Sequence, residues 1–575
     1  VPARIPEGMI SAMDLALKAD PADWYYPDKG NNNSMVYENL DNFNYYLVRG
    51  FAVVVSAGFG ALGSDGFNYV GSEYERDAFK FVVEWLHGDR VAYADREGKI
   101  QTKADWSNGN VAMTGRSYAG TMPFAVATTG VEGLKTIVPV AGIADWYTQQ
   151  NMQGAQRYWP KEMLNSFLAY FCSSRYNDET LSEKQLDDIA AFHHELSLQQ
   201  LKCGFDYDPD FWGSGNYRLH ADQIKCSALI VHGFNDENVS TKQFEMMHTA
   251  FEQAGQTVKL ILHQGPHITP TMANKNYGIL IDGKFYDDIV WISHYLYGVE
   301  NGAEKMPEVL AQTNYDQKKW EVESAWETEY TMKLTSKEES KTVIDTDWEK
   351  AGVSAENFDD VMAQKSTNMA QRYVTDPFEK AVTVQGTVCL NLKAALKDGN
   401  IETDFDPENR NDVDTLTMQL GNSKVSGKMD DVEIAVLLCD VCDEEFDSIQ
   451  TVDPERNIVP VTTVKEGGIM NGGDLPAFDE AEFNTVHKKY RVITRAFADL
   501  CNPEAGYAPE TAQNSIELKK GEYHDYSVYL NATRYTVEPG HRLAIVVATE
   551  DPVNCLIHKT YSVEIDDNSV MWKFR

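Results

Sequence analysis

A serine between a short apolar strand and a small-residue helix is the feature that most constrains the fold. An apolar run over 111–114 reaches Gly115, Ser117 follows, and residues 121–127 are small or apolar, as in a buried helix. Gly115 leaves room for a sharp turn, and Gly120 lets the helix lie close to the strand. The hydroxyl group then projects from the sheet edge, near the free N–H groups at the helix start. Such a serine is a candidate nucleophile.

A serine hydroxyl needs a base to take its proton and a carboxylate to orient that base. Two later strands end in residues of these types. The predicted strand 227–233 runs into a polar loop in which Asp236 is the natural orienting acid. The predicted strand 257–262 is followed by His263 and His267, and either imidazole could be the base. We favour His267 because it lies in the loop beyond the strand end.

The serine, the acid and the histidine each follow a strand, in the chain order that α/β-hydrolases use. Ligands bind at this carboxyl edge in open α/β sheets. Taken singly, Asp236 has an alternative role as a helix cap or turn residue, and a loop histidine has one as a solvated side chain. We interpret His232 and His263 as structural. The three signals together predict a serine hydrolase that needs no metal and no cofactor.

The segments around these residues resemble the Xaa-Pro dipeptidyl-peptidases, a serine-peptidase family related to cocaine-esterase-like and α-amino-acid ester hydrolases. The resemblance lies in residues 104–135, in Val231-His232-Gly233 with Asn235-Asp236, and in His263-Gln264-Gly265 with His267. It implies that Ser117, Asp236 and His267 are the nucleophile, acid and base. It also implies release of N-terminal Xaa-Pro dipeptides through an acyl-enzyme, by a homodimer in the cytoplasm.

The resemblance also assigns substrate contacts. Trp146 matches the tryptophan of the proline pocket, and Val239 is placed to close that pocket. Glu162 matches the glutamate that binds the substrate ammonium, and Asn238 matches an asparagine near the first substrate carbonyl. The backbone N–H of Tyr118 is the expected oxyanion donor. The implied partners are peptides with a free N-terminus and proline second. The net charge of −37 argues against nucleic acid or an anionic membrane as a partner.

Two departures from the family pattern are visible. Thr148-Gln149-Gln150 stand where the family has tyrosines after the tryptophan. Before the elbow, one strand is predicted, over 51–56, whereas the family has several strands there and a tyrosine hydroxyl that acts as second oxyanion donor. We therefore expect the first strands and this tyrosine to be missing, through trimming or because another polypeptide supplies them.

Changes in pattern divide the 575 residues into domains. Residues 1–150 and 221–300 alternate strands with helices, and residues 151–220 have the helical periodicity of a cap over the site. Residues 301–380 are charged and are predicted to connect to the last part. Short alternating runs separated by turns over 381–575 predict a β-sandwich of jelly-roll type. The predicted class is α/β: an α/β-hydrolase domain with a helical cap insertion, followed by an all-β jelly roll.

Three functions remain open at this point. The first is the proline-specific dipeptidyl peptidase, and the second is an ester or amide hydrolase with the same triad and a differently lined acyl pocket. The third is an inactive hydrolase scaffold that acts as a binding protein. An amine-binding acid at Glu162 would separate the first two. Cys439 and Cys442 have redox or zinc spacing, but no second pair accompanies them, which argues against a metal site. The apolar, strand-like settings of Cys226, Cys389, Cys439 and Cys555 predict buried free thiols, and a reduced compartment fits best.

Overall fold

The computed structural model describes residues 46–574 except 48, 62–63, 158–180, 268–278, 282–283, 327–329, 333–339, 400, 402–431, 455–462, 465–480 and 556–557. Glu162 therefore lies outside the described residues, and so do residues 415–420, one of the alternating runs of the predicted β-sandwich. Among the described residues, no helix combines the length and the apolar character needed to cross a bilayer.

The first half of the chain is a mixed α/β structure. Its strands are β1 (Ala92–Tyr93), β2 (Gln101–Thr102), β3 (Val111–Arg116), β4 (Leu134–Val140), β5 (Asn151–Met152), β6 (Ala155–Gln156), β7 (Ser227–Gly233), β8 (Val258–His263), β9 (Ile279–Ile281), β10 (Lys284–Tyr286), β11 (Val309–Gln312) and β12 (Trp320–Glu323). Its helices are α1 (Glu73–His87), α2 (Tyr118–Ala127), α3 (Trp146–Gln150), α4 (Glu183–Lys202), α5 (Pro209–Trp212), α6 (Lys242–Gln253) and α7 (Asp288–Tyr297).

Six of these strands form one sheet in the order β12-β11-β8-β7-β4-β3. All neighbours are parallel except β11 and β12, which are antiparallel. Successive side chains of β7 point to opposite faces: Ile230 packs in one apolar cluster with Phe244 of α6. Leu229 and Val231 pack in another cluster with Trp291 of α7. Helices thus cover both faces, as a parallel sheet requires, and the carboxyl ends of the strands form a common edge.

Two features of this half differ from the sequence prediction. Residues 51–56 were predicted as a strand but form none; Val54 and Val55 are 39% and 61% exposed, and no neighbouring strand among the described residues pairs with this run. The sheet also continues past residue 300, where the last strand-helix unit was predicted to end. Val309, Leu310 and Ala311 of β11 are fully buried beside β8, a short apolar run within a charged stretch. The division into domains stays a prediction.

The second half is β-rich. Its strands are β13 (Tyr330–Met332), β14 (Lys341–Asp345), β15 (Ala370–Val374), β16 (Val382–Gly386), β17 (Val388–Gly399), β18 (Glu433–Gln450), β19 (Thr463–Val464), β20 (Ala481–Glu482), β21 (Asn484–Asp499), β22 (His524–Tyr529), β23 (Thr533–Val537), β24 (Arg542–Ala548) and β25 (Tyr561–Phe574). One antiparallel sheet has the order β13-β25-β17-β22, with β14 also on β25, and a second has the order β15-β24-β18-β21. Side chains of both sheets share one apolar core.

The connection between the halves contains two short helices, α8 (Trp348–Ala351) and α9 (Phe358–Gln364). The sequence predicts one amphipathic segment over 347–364, but Gly352, with φ of 65°, ends the first helix. The region predicted as a cap holds the β5–β6 hairpin as well as α4 and α5. Its role as a cap stays a prediction, as does the jelly-roll connectivity of the β-rich half.

Candidate active site

Ser117 occupies a strained backbone position between β3 and α2. Its φ of 61° and ψ of −129° lie where residues with a side chain are rarely found. Hydrogen bonds on both sides hold it there: Ser117 N donates to Val140 O at 3.0 Å, and Thr121 N donates to Ser117 O at 2.9 Å. Such strain costs about 1–3 kcal/mol and persists only where the surroundings impose it. This is the backbone geometry that a nucleophile elbow requires.

Two glycines make this turn sterically possible. A Cβ atom on Gly115 would lie 2.5 Å from the carbonyl oxygen of Ala119, and one on Gly120 would lie 2.5 Å from that of Val140. Both distances are far below van der Waals contact, and both neighbours are backbone atoms that cannot move aside. Any larger residue at either position would therefore push α2 away from the sheet.

Asp236 lies in the loop after β7 with its carboxylate buried. Oδ1 accepts the N–H groups of Asn238 and Val239 at 3.0 and 2.8 Å. Oδ2 lies 2.8 Å from Nδ1 of His267 and 3.5 Å from Nε2 of His232. Burial opposes the negative charge, but the attraction of His267, its hydrogen bond, His232 and the Val239 N–H hold the pKa of Asp236 below its ordinary value. The side chain is thus a carboxylate at neutral pH.

His267 follows β8 and is oriented by Asp236 through Nδ1. Its Nε2 atom is buried and has no hydrogen-bond partner within the described part of the chain. His263, the other candidate base, is engaged differently: its Nδ1 accepts the N–H of Gly265 at 3.0 Å. His232 is also engaged, since its Nε2 donates to Val239 O at 2.9 Å, and burial lowers its pKa. Of these three histidines, His267 is the one with a ring nitrogen hydrogen bonded to Asp236 and its other nitrogen without a partner among the described residues.

The loops that carry Asp236 and His267 are joined directly. Asn235 donates from its side chain to Gln264 O at 2.7 Å and from its backbone to Gly265 O at 3.2 Å. Gly233, the last residue of β7, lies so close to this second loop that a Cβ there would be 2.3 Å from Gly265 O. The absence of a side chain at Gly233 and the amide of Asn235 therefore set the distance between acid and base.

Trp146, Val239 and Tyr118 belong to one apolar cluster beside these loops. The Tyr118 and Trp146 rings meet edge to face, with centroids 5.6 Å apart. Trp146 Nε1 donates to the Tyr217 hydroxyl at 3.0 Å, and Gly71 and Gly215 lie against the same indole edge. Trp146 is only 1% exposed. Tyr118 and Trp146 are therefore neighbours and Val239 shares their cluster, whereas contact of these residues with a substrate stays a prediction.

Glu75 is a site residue that the sequence analysis missed. Its carboxyl group accepts the N–H of Gly71 at 2.9 Å and is hydrogen bonded to the Tyr118 hydroxyl. Burial raises the pKa of Glu75 to about 8, and the Gly71 N–H opposes this rise. The pattern Ser72-Glu73-Tyr74-Glu75 is that of a capping box, and Ser72 does cap α1 through the Glu75 N–H. The Glu75 side chain, however, reaches Tyr118, the residue after the candidate nucleophile Ser117.

Asn238 lies in the acid loop, where its carbonyl accepts the Gln149 side-chain amide at 2.8 Å. Glu162 falls outside the described residues, so its predicted contact with an ammonium group stays a prediction. A group that could bind a metal ion among the described residues is His248, Glu252 and Glu308. The ammonium group of Lys259 lies 2.9 Å from Glu308 and supplies a cation there already.

Comparison with known proteins identifies the family. Residues 16–269 match the family model described as X-Pro dipeptidyl-peptidase (S15 family). Residues 301–560 match that of the X-Pro dipeptidyl-peptidase C-terminal non-catalytic domain.

The chain belongs to the S15 family of X-Pro dipeptidyl-peptidases.

Among curated relatives in this S15 family, the Xaa-Pro dipeptidyl-peptidase of Lactobacillus helveticus is 31% identical over 543 residues, covering 92% of this chain and 63% of that protein. The one of Lactobacillus delbrueckii subsp. bulgaricus is 41% identical over 288 residues, covering 49% of this chain and 35% of that protein. The chain thus spans less than two thirds of the length of these relatives.

Solved structures of several hydrolases share the fold of this S15-family chain. An α-amino acid ester hydrolase aligns with a TM-score of 0.57 at 14% identity, covering 96% of this chain and 90% of that one. A CocE/NonD family hydrolase from Staphylococcus aureus aligns with a TM-score of 0.57 at 14% identity, covering 92% and 80%. An aminopeptidase from a Thaumarchaeota archaeon has a TM-score of 0.56 at 13% identity, covering 93% and 87%. These likenesses show the fold: a mixed α/β domain followed by a β-rich domain.

Proposed function

We propose that this chain is a serine peptidase that releases N-terminal Xaa-Pro dipeptides from peptides. The observation that carries the proposal is the Asp236–His267 pair, whose buried Nε2 is without a hydrogen-bond partner among the described residues. Ser117, in its strained turn, follows another parallel strand of the same sheet and so lies at the same edge. Membership of the S15 family supports the choice of substrate.

The proposed reaction proceeds through an acyl-enzyme. His267 Nε2 takes the proton of the Ser117 hydroxyl while Oγ attacks the carbonyl carbon of the substrate proline. The Tyr118 N–H donates to the oxyanion that forms. When the tetrahedral intermediate collapses, the C–N bond breaks and imidazolium gives its proton to the leaving amine. Water, activated by the same imidazole, then hydrolyses the ester and frees the dipeptide. Asp236 stabilises the imidazolium throughout.

The proposed pocket uses the apolar cluster for the pyrrolidine ring. Trp146 and Val239 form its walls, and Tyr118 packs against the Trp146 ring. Asn238 is assigned to the first substrate carbonyl and Glu162 to the free ammonium, which together measure two residues from the N-terminus. No cofactor takes part in the proposed reaction. A helical cap, a jelly-roll C-terminal domain and a cytoplasmic homodimer complete the proposal by likeness to the family.

The decisive assay compares chromogenic substrates. We expect Gly-Pro-anilide to be hydrolysed. N-acetyl-Gly-Pro-anilide should be a poor substrate because its amine is blocked, and Gly-Ala-anilide should be one because it lacks the pyrrolidine ring. Ser117→Ala should abolish dipeptide release. Unchanged release by this variant would disprove the assignment of the nucleophile.

An ester or amide hydrolase is the second candidate, because Trp146 at 1% exposure presents little open aromatic surface and Thr148-Gln149-Gln150 replace the tyrosines of the family. Faster turnover of a simple aryl ester than of Gly-Pro-anilide, together with indifference to N-acetylation, would favour this candidate. No turnover of either substrate would favour the third reading, an inactive scaffold that acts as a binding protein.

A further inference from the structure

A buried arginine of the β-rich half contacts the loop that carries Asp236. Arg495 lies on β21, and its side chain is only 5% exposed. Its Nε atom donates to Oε1 of Glu237 at 3.1 Å, and Glu237 is the residue directly after Asp236. The contact thus joins the C-terminal half of the chain to the residue beside the acid.

The guanidinium group is itself held firmly. Its two terminal nitrogens donate to the two carboxylate oxygens of Asp359 in α9 at 2.9 and 2.8 Å, a bidentate pair. Asp551, after β24, lies 3.8 Å from the same group. These two carboxylates belong to the β-rich half and its connection. They therefore hold the Arg495 guanidinium group in a fixed position from which it binds Glu237.

Further hydrogen bonds hold the backbone carbonyl groups of Glu237 and Asn238, in the loop that carries Asp236. The side chain of Arg157 donates to Glu237 O at 3.2 Å, and that of Gln149 donates to Asn238 O at 2.8 Å. A second arginine of β21, Arg491, donates to the side-chain oxygen of Gln264 in the histidine loop at 3.4 Å. One strand of the β-rich half therefore contacts both loops that supply the acid and the base.

We propose that Arg495 is a positioning residue, which through Glu237 fixes the acid loop and so sets the orientation of the Asp236–His267 pair. The family model that matches this C-terminal region is described as a non-catalytic domain. In the proposal, Arg495 on its strand β21 helps to position the acid loop. The proposal rests on the proposed serine-hydrolase function. It predicts that loss of the Glu237 contact lowers the rate of the chemical step more than it raises KM, because Asn238 and Val239 keep their own hydrogen bonds to Gln149 and Asp236.

The chain offers a matched control for this contact. Arg534 of β23 is 3% exposed in its side chain and donates to Glu321 at 2.7 Å and to Glu323 at 2.6 Å. It likewise joins the β-rich half to the catalytic sheet, but through the edge strand β12 rather than through a catalytic loop. In both clusters, removing one glutamate leaves the arginine paired with another carboxylate, so Glu237→Ala and Glu321→Ala are comparable changes.

The experiment uses the full chain with Glu237→Ala, Glu237→Gln and Glu321→Ala. Thermal unfolding of each variant serves to check that it folds. Glu237→Gln keeps an oxygen that accepts the Arg495 N–H, and it removes only the charge. We expect kcat for Gly-Pro-anilide to fall about tenfold in Glu237→Ala with KM within about twofold. Glu237→Gln and Glu321→Ala should stay within about threefold of wild type. The low-field proton signal of the Asp236–His267 hydrogen bond should shift in Glu237→Ala alone.

Equal kcat values for Glu237→Ala and Glu321→Ala would overturn the proposal. So would equal losses in Glu237→Ala and Glu237→Gln, since charge rather than position would then be responsible. If the wild type reacts with a fluorophosphonate at Ser117 but leaves Gly-Pro-anilide intact, the peptidase function is wrong. The same three variants then test the positioning role by their rates of fluorophosphonate reaction. A wild type inert to both reagents would refute the two proposals together.

Discussion

Nδ1 of His267 lies 2.8 Å from Oδ2 of Asp236, and the two residues follow adjacent parallel strands, β8 and β7. The contact requires two loops to approach closely, which Gly233 permits and Asn235 maintains. Because the Asp236 carboxylate accepts a hydrogen bond from Nδ1–H, the imidazole is held in the tautomer whose unprotonated Nε2 can act as a base. The proposed reaction depends on this pair.

Asp236→Asn should reduce kcat for Gly-Pro-anilide about 10³–10⁴-fold, because an amide can stabilise the wrong tautomer and cannot stabilise imidazolium. Steady-state kinetics measure this directly. Asp208→Asn is the control, since Asp208 caps the short helix α5 and asparagine caps equally well. A loss of less than about tenfold in Asp236→Asn would show that another residue orients the base.

Gly233→Ala should lower kcat and thermal stability together. The added methyl group would meet the backbone oxygens of Gly265 and Pro266 at 2.3 and 2.6 Å, so the histidine loop must move away from the acid loop. Gly213→Ala is the control, because Gly213 is helical with φ of −61° and has open space around its Cβ direction. Wild-type kinetics in Gly233→Ala would mean that the spacing of the two loops does not limit the reaction.

Glu75→Gln should become progressively more stable than the wild type as the pH rises from 4.5 to about 8. Burial raises the pKa of Glu75 from 4.5 to about 8, so in this window the native state holds a proton that the unfolded state has released. Wild-type stability therefore falls with pH by on the order of 1.4 kcal/mol per unit from this group, and glutamine removes that dependence. Below pH 4.5 the difference should be constant.

Urea unfolding of both proteins across this pH range measures the difference. Glu73→Gln, an exposed change in the same turn of α1, is the control. A stability difference between Glu75→Gln and wild type that does not vary with pH would show that Glu75 is ionised in the native state. Its hydrogen bond to Tyr118 would then be one between a hydroxyl donor and a carboxylate.

Local pattern was sufficient to predict the parts of the fold whose interactions are local. The predicted strand 227–233 has the bounds found in the structure. The turn at Ser117 was also predictable, because only small residues fit between β3 and α2. The resemblance to a family added the pairing of distant loops, which no local pattern contains.

The sequence predictions failed where contacts between distant parts of the chain determine the local structure. Residues 51–56 have a strand-like composition, but a strand needs a partner, and Val54 and Val55 remain exposed. Strand β11 was missed because Val309 to Ala311 are a short run in a charged stretch, and only their fully buried place beside β8 makes them a strand. Glu75 was missed because its capping-box pattern explains its presence locally, whereas its bond to Tyr118 spans 43 residues. Arg495 carries no local signal at all.

The most direct test of the central claim is fluorophosphonate labelling of the purified chain, followed by proteolysis and mass spectrometry of the tagged peptide. We predict a single modified residue, Ser117, and no labelling after Asp236→Asn or His267→Ala within the time that modifies the wild type. Labelling at another serine, or a chain that stays unmodified, would contradict the account.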